Sequence, residues 1–307
     1  MSWGDERMGT GVLDRLGGAP ISWGVCEVPG WGLMLPAPRV LAEMSSLGLR
    51  ATELGAPGFL PDDTGAVADL LAELGMTMLG GFVPLVLHDP ARLGSTEAEA
   101  RHVAAKFRDL GATMFVTAAV VDPEWSPRIP LDDAQWSCLI DALALVDRVV
   151  ADFGLRQVLH PHVGTLVETA ADVQRVLAAS PVQWCLDTGH LAIGGTDPLR
   201  FARDYGDRVG HVHLKDVDMV LAARQQSGEL SWMQAVQAGL FRSLGQGDVP
   251  VGDVIRQLEE DGYQGWYVLE QDQAITGDEP APGMGPIDDA RESVAYLRVA
   301  FGEHATA

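Results

Sequence analysis

Six of the eight histidines, His88, His160, His162, His190, His211 and His213, lie just after short apolar, β-rich runs. Glu53, Asp187, Lys215 and Glu270 occupy similar positions. A lone histidine near a strand is usually a hydrogen-bonded structural group. Six of them after strand ends point instead to a metal or acid–base site. Side chains alternate across a strand, so both imidazoles share a face in His160-Pro161-His162 and in His211-Val212-His213. Such a pair can chelate, or one ring can ligate while the outer one meets a substrate. Asp187 ends the apolar run Trp184-Cys185-Leu186, and Glu270 ends Trp266-Tyr267-Val268-Leu269. A carboxylate there is desolvated unless a cation faces it. Two carboxylates, imidazoles and an open position suit Mn2+, Co2+ or Mg2+ better than structural zinc.

These residues need a scaffold that gathers strand ends. Strand-like runs fall at 20–25, 50–54, 77–83, 114–118, 157–160, 182–187, 209–214 and 266–270. Helical runs alternate with them at 37–47, 63–74, 95–110, 131–153, 166–179, 198–205, 251–261 and 287–301. Gly48, Gly75, Gly111, Gly154 and Gly262 each follow a helical run, where a left-handed C-cap wants glycine. Asp63 and Thr96 stand where N-caps belong. Strand–helix alternation with short turns gives a parallel sheet. Eight units close into a (β/α)8 barrel. The alternative is an open doubly wound sheet, but no G-x-G-x-x-G follows the first strand. Two insertions follow strand C-terminal ends, where barrel enzymes build active sites: 121–130, with three prolines and Trp125, and 216–247. The longer one, with its apolar and aromatic segment 230–241, is expected to be a lid.

The chain has 307 residues, a length that one barrel can use, and 47 % of them are hydrophobic. The expected organisation is a flexible extension at 1–17, then a single α/β barrel over 18–303. Against 43 acidic residues stand 21 basic ones, for a net charge of −22. That balance excludes a nucleic-acid binder and disfavours an anionic membrane surface. No apolar run approaches the ~18 residues of a membrane span. The three cysteines, Cys26, Cys138 and Cys185, are widely spaced, which fits reduced thiols in a cytoplasm. Eight tryptophans leave apolar surface to spare, and a homo-oligomer is expected.

Three phrases resemble the xylose isomerase-like barrels: Asp187-Thr188-Gly189-His190, His211-Val212-His213-Leu214-Lys215-Asp216, and Leu269-Glu270. That superfamily holds sugar isomerases, ketose epimerases, dehydratases and a DNA-repair endonuclease. Further phrases are similar to the inosose dehydratases of myo-inositol catabolism. They are Ile21-Ser22-Trp23-Gly24-Val25-Cys26, Pro29-Gly30-Trp31-Gly32, Ala51-Thr52-Glu53-Leu54-Gly55 and His160-Pro161-His162-Val163-Gly164-Thr165. Gly239-Leu240-Phe241, Leu244-Gly245-Gln246-Gly247 and Gly262-Tyr263-Gln264-Gly265-Trp266, running on to Glu270-Gln271-Asp272, complete the set.

The resemblance implies one divalent metal held by His160, Asp187, His213 and Glu270. His160 is a departure, because many relatives carry glutamate there. Ketose epimerases of the superfamily use two metal-bound glutamates on opposite faces of the sugar, and His160 removes one of that pair. What remains, a single carboxylate base Glu270 beside a metal and imidazoles, fits elimination of water from a keto-polyol. The acid for the departing hydroxide is His190 or Lys215. The implied substrate is scyllo-inosose or a close cyclitol. Isomerisation, epimerisation and 3-keto-glycoside elimination are the rival reactions, and a polyol-binding barrel without catalysis is the non-enzymatic rival. Glu53 either meets substrate hydroxyls or holds Lys215. His88 faces the pocket or pairs with Asp89, and His162 is expected on the substrate. Trp23 stacks on the substrate ring or packs in the core, with Trp31 equally open. His211 is the alternative to His213 as ligand. His102 and His304 are expected to be solvated.

Overall fold

The computed structural model describes residues 11–302 apart from 27 and 29. His304 and Pro29 of the 29–32 phrase therefore lie outside the described residues, as do 1–10 of the expected extension. The strands are β1 Leu16–Gly18, β2 Ala51–Glu53, β3 Thr77–Gly80, β4 Phe82–Val86, β5 Met114–Val120, β6 Arg156–Leu159, β7 Gln183–Asp187 and β8 Val209–Leu214. Two short strands, β9 Asp216–Val217 and β10 Phe241–Arg242, precede β11 Tyr267–Leu269.

The main sheet runs β3-β2-β1-β11-β8-β7-β6-β5-β4, and its pairings are all parallel. It closes because β3 and β4 are two halves of one bent stave. Thr113 N donates to Leu79 O at 3.1 Å, and Val116 N to Gly81 O at 3.2 Å. The bend sits at Gly80, whose φ is 147°. A Cβ there would collide with the Met114 carbonyl, so only glycine lets the two backbones approach. The result is the expected eight-staved barrel wrapped by helices.

Two local expectations fail. The first stave is Leu16–Gly18, and 20–23 is a short 3-10 helix instead. Pro20 presets its first turn, and Gly24 closes it at φ 79°. Residues 11–17, expected to be part of a flexible extension, thus belong to the barrel. Thr96 is not an N-cap. It lies inside the helix Leu93–Asp109 and donates to Val86 O at 2.7 Å, while Asp89 caps the 3-10 turn Pro90–Arg92 that leads in.

The other punctuation holds. Asp63 accepts from Ala66 N at 2.8 Å, and the five post-helical glycines have φ between 64° and 88°. The outer helices bury one stripe each: Val251–Glu260 turns Val251, Val254, Ile255 and Leu258 inward. Among the described residues, no helix is long and apolar enough to cross a membrane.

The 216–247 excursion is an ordered unit. Its base is an antiparallel β9–β10 pair, and its body is two helices, Met219–Gln226 and Trp232–Gln237. Buried Asp216 accepts the backbone N–H groups of Val217, Gly245, Gly247 and Val249 at 2.8–3.0 Å. That clamp explains two phrases at once, the Asp216 that ends one and the Leu244–Gly247 turn of the other.

Candidate metal centre

Register sets the site. The β7–β8 pairing puts Asp187 opposite His213 and Cys185 opposite His211, and β11 brings Val268 opposite His213. Side chains two apart share a face, so the barrel interior gains two layers. Asp187 and His213 form the upper layer, with His160 arriving from the end of β6 and Glu270 from the end of β11. Cys185 and His211 form the lower one.

In the upper layer Asp187, His213 and Glu270 each offer a ligand atom, all within 4.8 Å of one another; His160, Asp187 and His190 do the same. His160 Nε2 lies 3.3 Å from Asp187 Oδ2. His213 Nδ1 lies 2.7 Å from Glu270 Oε2 and 3.7 Å from Asp187 Oδ2. Despite this closeness, His213 Nδ1 is aligned for no hydrogen bond, and buried His160 Nδ1 also lacks a partner. Buried ring nitrogens without partners are costly. Beside two carboxylates they fit a divalent cation.

Lys215 stands next to this group, fully buried. Its Nζ donates to Asp272 Oδ1 at 2.7 Å, to Glu270 Oε1 at 2.8 Å and to His190 Nε2 at 3.0 Å. Gly189 makes the room, since a Cβ there would lie 2.7 Å from Lys215 Cγ. Burial works against the ammonium, but Asp272, Glu270 and Asp187 outweigh it and raise the Lys215 pKa. Burial lifts Glu270 too, yet His213 and Lys215 prevail and hold it at about 2. Burial carries Asp272 up to about 6 against the pull of Lys215. His190 is driven well below its ordinary value by burial, then by His162 and Lys215, so it is neutral.

Aromatic rings cover the top. His162 packs on His190 with centroids 3.8 Å apart, and Phe82 lies 5.4 Å from His162. Trp125 stacks on Phe82 at 5.9 Å and 11°. From the 216–247 unit, Phe241 sits 4.8 Å from Lys215 Nζ and Trp232 sits 6.3 Å from the His190 ring.

Several expectations change. Trp23 is fully buried and donates its indole N–H to Glu43 Oε2 at 2.9 Å, toward the outer helix Ala37–Ser46; it is a core residue, not a ring-stacking one. Trp31 is buried as well, donating to Gln273 O at 2.7 Å. Glu53 does not hold Lys215. Its Oε1 accepts from His211 Nε2 at 2.8 Å and from His213 Nε2 at 2.9 Å. His88 is buried after β4 with an unpartnered Nδ1, and it joins none of the clustered side chains among the described residues. His211 belongs to the lower layer. Asp272 went unnoticed as a Lys215 partner, although its i, i+2 spacing from Glu270 was there to read.

A closed parallel barrel with carboxylates and imidazoles gathered at the C-terminal ends of its last four staves is the architecture of metal-site barrel enzymes. The family model of the xylose isomerase-like TIM barrels matches residues 41–299, and the chain belongs to that family. It is 31 % identical over 273 residues to the inosose dehydratase of Geobacillus kaustophilus (strain HTA426), covering 84 % of this chain and 87 % of that one. It is 33 % identical over 265 residues to the rhizopine catabolism protein MocC of Rhizobium meliloti, covering 83 % and 80 %. Among solved structures, the IolI protein with a bound zinc atom superimposes with a TM-score of 0.68 at 14 % identity, covering 95 % of this chain and all (100 %) of that one.

Proposed function

We propose that this barrel is a divalent-metal-dependent lyase that removes water from a keto-inositol, scyllo-inosose or a close cyclitol. The observation that carries the reading is the Asp187–His213–Glu270 cluster, with its unpartnered ring nitrogens, in hydrogen-bond continuity with Lys215 and His190. The dehydratase name of its relative supports the reaction class.

His160, Asp187, His213 and Glu270 are the residues that would hold the ion. When bound, the ion supplies Lewis acidity to a carbonyl oxygen and its neighbouring hydroxyl. Glu270 removes the proton from the carbon beside the carbonyl. The C–O bond one carbon further on breaks, a carbon–carbon double bond forms, and the departing hydroxide needs a proton. Lys215 holds that proton beside Glu270 and supplies it, with His190 accepting from its Nζ at 3.0 Å and orienting it. His162, half-buried at the mouth, meets substrate hydroxyls. The 216–247 unit acts as the lid, with Trp232 and Phe241 excluding water.

The site has no second carboxylate across from Glu270 at the His160 position, which favours elimination over two-base epimerisation. The test is dehydration of scyllo-inosose by metal-stripped protein with Mn2+ or Co2+ restored, followed by the ultraviolet absorbance of the dione product. Metal-dependent product is expected. A folded, metal-binding protein that makes no dione but interconverts ketoses would replace this reading with the epimerase one.

A further inference from the structure

Beneath the upper layer lies a second set of groups that the reaction does not use. Glu53 ends β2, is 4 % exposed, and turns Oε1 to both His211 and His213, each 1 % exposed. A carboxylate only accepts, so the 2.8 Å and 2.9 Å contacts require N–H on both Nε2 atoms. With its Nε2 proton held by Glu53, His213 has only Nδ1 to offer a cation. Nδ1 is the nitrogen that faces Glu270 and Asp187 without a hydrogen bond.

We propose that Glu53 is the positioning residue of the metal centre, with His211 as its anchor. This rests on the metal-dependent reading of the site above. Glu53 fixes the His213 tautomer and ring plane so that Nδ1 is presented upward. His211 holds Glu53 down by the same oxygen and keeps it from rising to become a ligand. Outer carboxylates on ligating imidazoles do this work elsewhere, and their loss typically lowers metal affinity about 10–100-fold.

The bland alternative is a merely structural polar group, and the sharper rival is a second ion held by Glu53, His211 and His213 themselves. The experiment uses the full chain as wild type, Glu53→Gln and Glu53→Ala. Glu53→Gln preserves size, so it remains informative if Glu53→Ala fails to fold. The ring-nitrogen NMR shifts of His213 report its tautomer in metal-free protein, and Mn2+ titration followed by electron paramagnetic resonance reports affinity and stoichiometry.

The expected wild type keeps His213 Nε2 protonated, whether or not Nδ1 also carries a proton beside Glu270, and binds one Mn2+ per chain. Both variants lose that fixed Nε2 proton, and Glu53→Ala binds Mn2+ about 10–100-fold more weakly. An unchanged tautomer or an unchanged Mn2+ affinity overturns the proposal. So does a wild type with two Mn2+ per chain that falls to one in Glu53→Ala. A tautomer that depends on Glu53 in a protein that binds no Mn2+ leaves the positioning role standing and overturns the metal reading instead.

Discussion

The barrel buries charge at both ends, and the two ends treat it differently. At the floor, Arg15 is 1 % exposed and lies just before β1. Its guanidinium donates to Tyr263 O at 2.9 Å, Gly265 O at 3.1 Å and Glu259 at 2.6 Å, and Tyr267 Oη donates to the same carboxylate at 2.7 Å. One cation meets one anion, backbone carbonyls take most of what is left, and of the guanidinium only Nε lacks a partner. At the mouth, the buried carboxylates Asp187, Glu270 and Asp272 share one ammonium, Lys215, while buried Glu53 meets only the imidazoles of His211 and His213. Ring nitrogens there stand unpartnered. A buried pair that closes on itself ties the first and last staves together. A buried cluster with surplus anion and free lone pairs is built for something that arrives from outside.

Exchange of function for stability should therefore run in opposite directions at the two ends. The largest effect is expected for Glu270→Gln. Removing the base should lower kcat about 10²–10⁴-fold on the true substrate, with the melting temperature close to wild type. Turnover near wild type in a variant that still binds metal would break the base assignment. Arg15→Met should do the reverse. Breaking the floor pair should cost about 2–3 kcal/mol in urea unfolding, below the usual range for a buried pair because Glu259 keeps 29 % of its side-chain exposure. Activity per folded molecule should be unchanged. Chelation sharpens the contrast further. Mn2+ at a hundred times its Kd should stabilise wild type by about 2.7 kcal/mol. Arg15→Met should keep that increment in full, and Glu270→Gln should lose much of it. Equal increments in both variants would mean that Glu270 contributes nothing to the ion.

What the sequence made legible follows the range of the physics involved. The helix ends at Gly48, Gly75, Gly111, Gly154 and Gly262 are readable because a left-handed cap is a demand on one residue. Asp187 and Glu270 are readable because a charge closing an apolar strand is conspicuous within a few residues, whereas the choice of His213 over His211 rests on the family resemblance alone. The first stave was missed because Leu16-Gly17-Gly18 has no β-branched side chain. Its glycines serve packing, with Cβ positions only 3.0 Å from Leu79 Cδ1 and Leu49 Cδ1. Pro20–Trp23 drew the assignment by its bulky residues, though Pro20 favours a helical turn. The imidazole partners of Glu53 are not legible because they are 158 and 160 residues away. No local pattern states which imidazole a strand-end carboxylate will meet across a barrel.

The smallest expected effect tests whether the mouth also stores backbone strain. Trp125 has φ 59° and is the one non-glycine residue with positive φ among those described. A bulky side chain in that region is held there at a cost. The turn is imposed by Asp122, whose Oδ1 accepts from Glu124 N at 3.1 Å and Ser126 N at 3.0 Å, and the reward is the stack on Phe82 over His162. At an ordinary exposed site, alanine is at least as stabilising as glycine. Here the order should invert, with Trp125→Gly more stable than Trp125→Ala by about 1 kcal/mol, because only glycine enters the left-handed region freely. Both variants should lose substrate affinity equally, since both lose the ring. Paired thermal melts and substrate titrations read the two quantities separately. Alanine proving as stable as glycine would mean that the loop relaxes once the indole is gone. The strain would then be set by the ring's stacking rather than by the Asp122 turn.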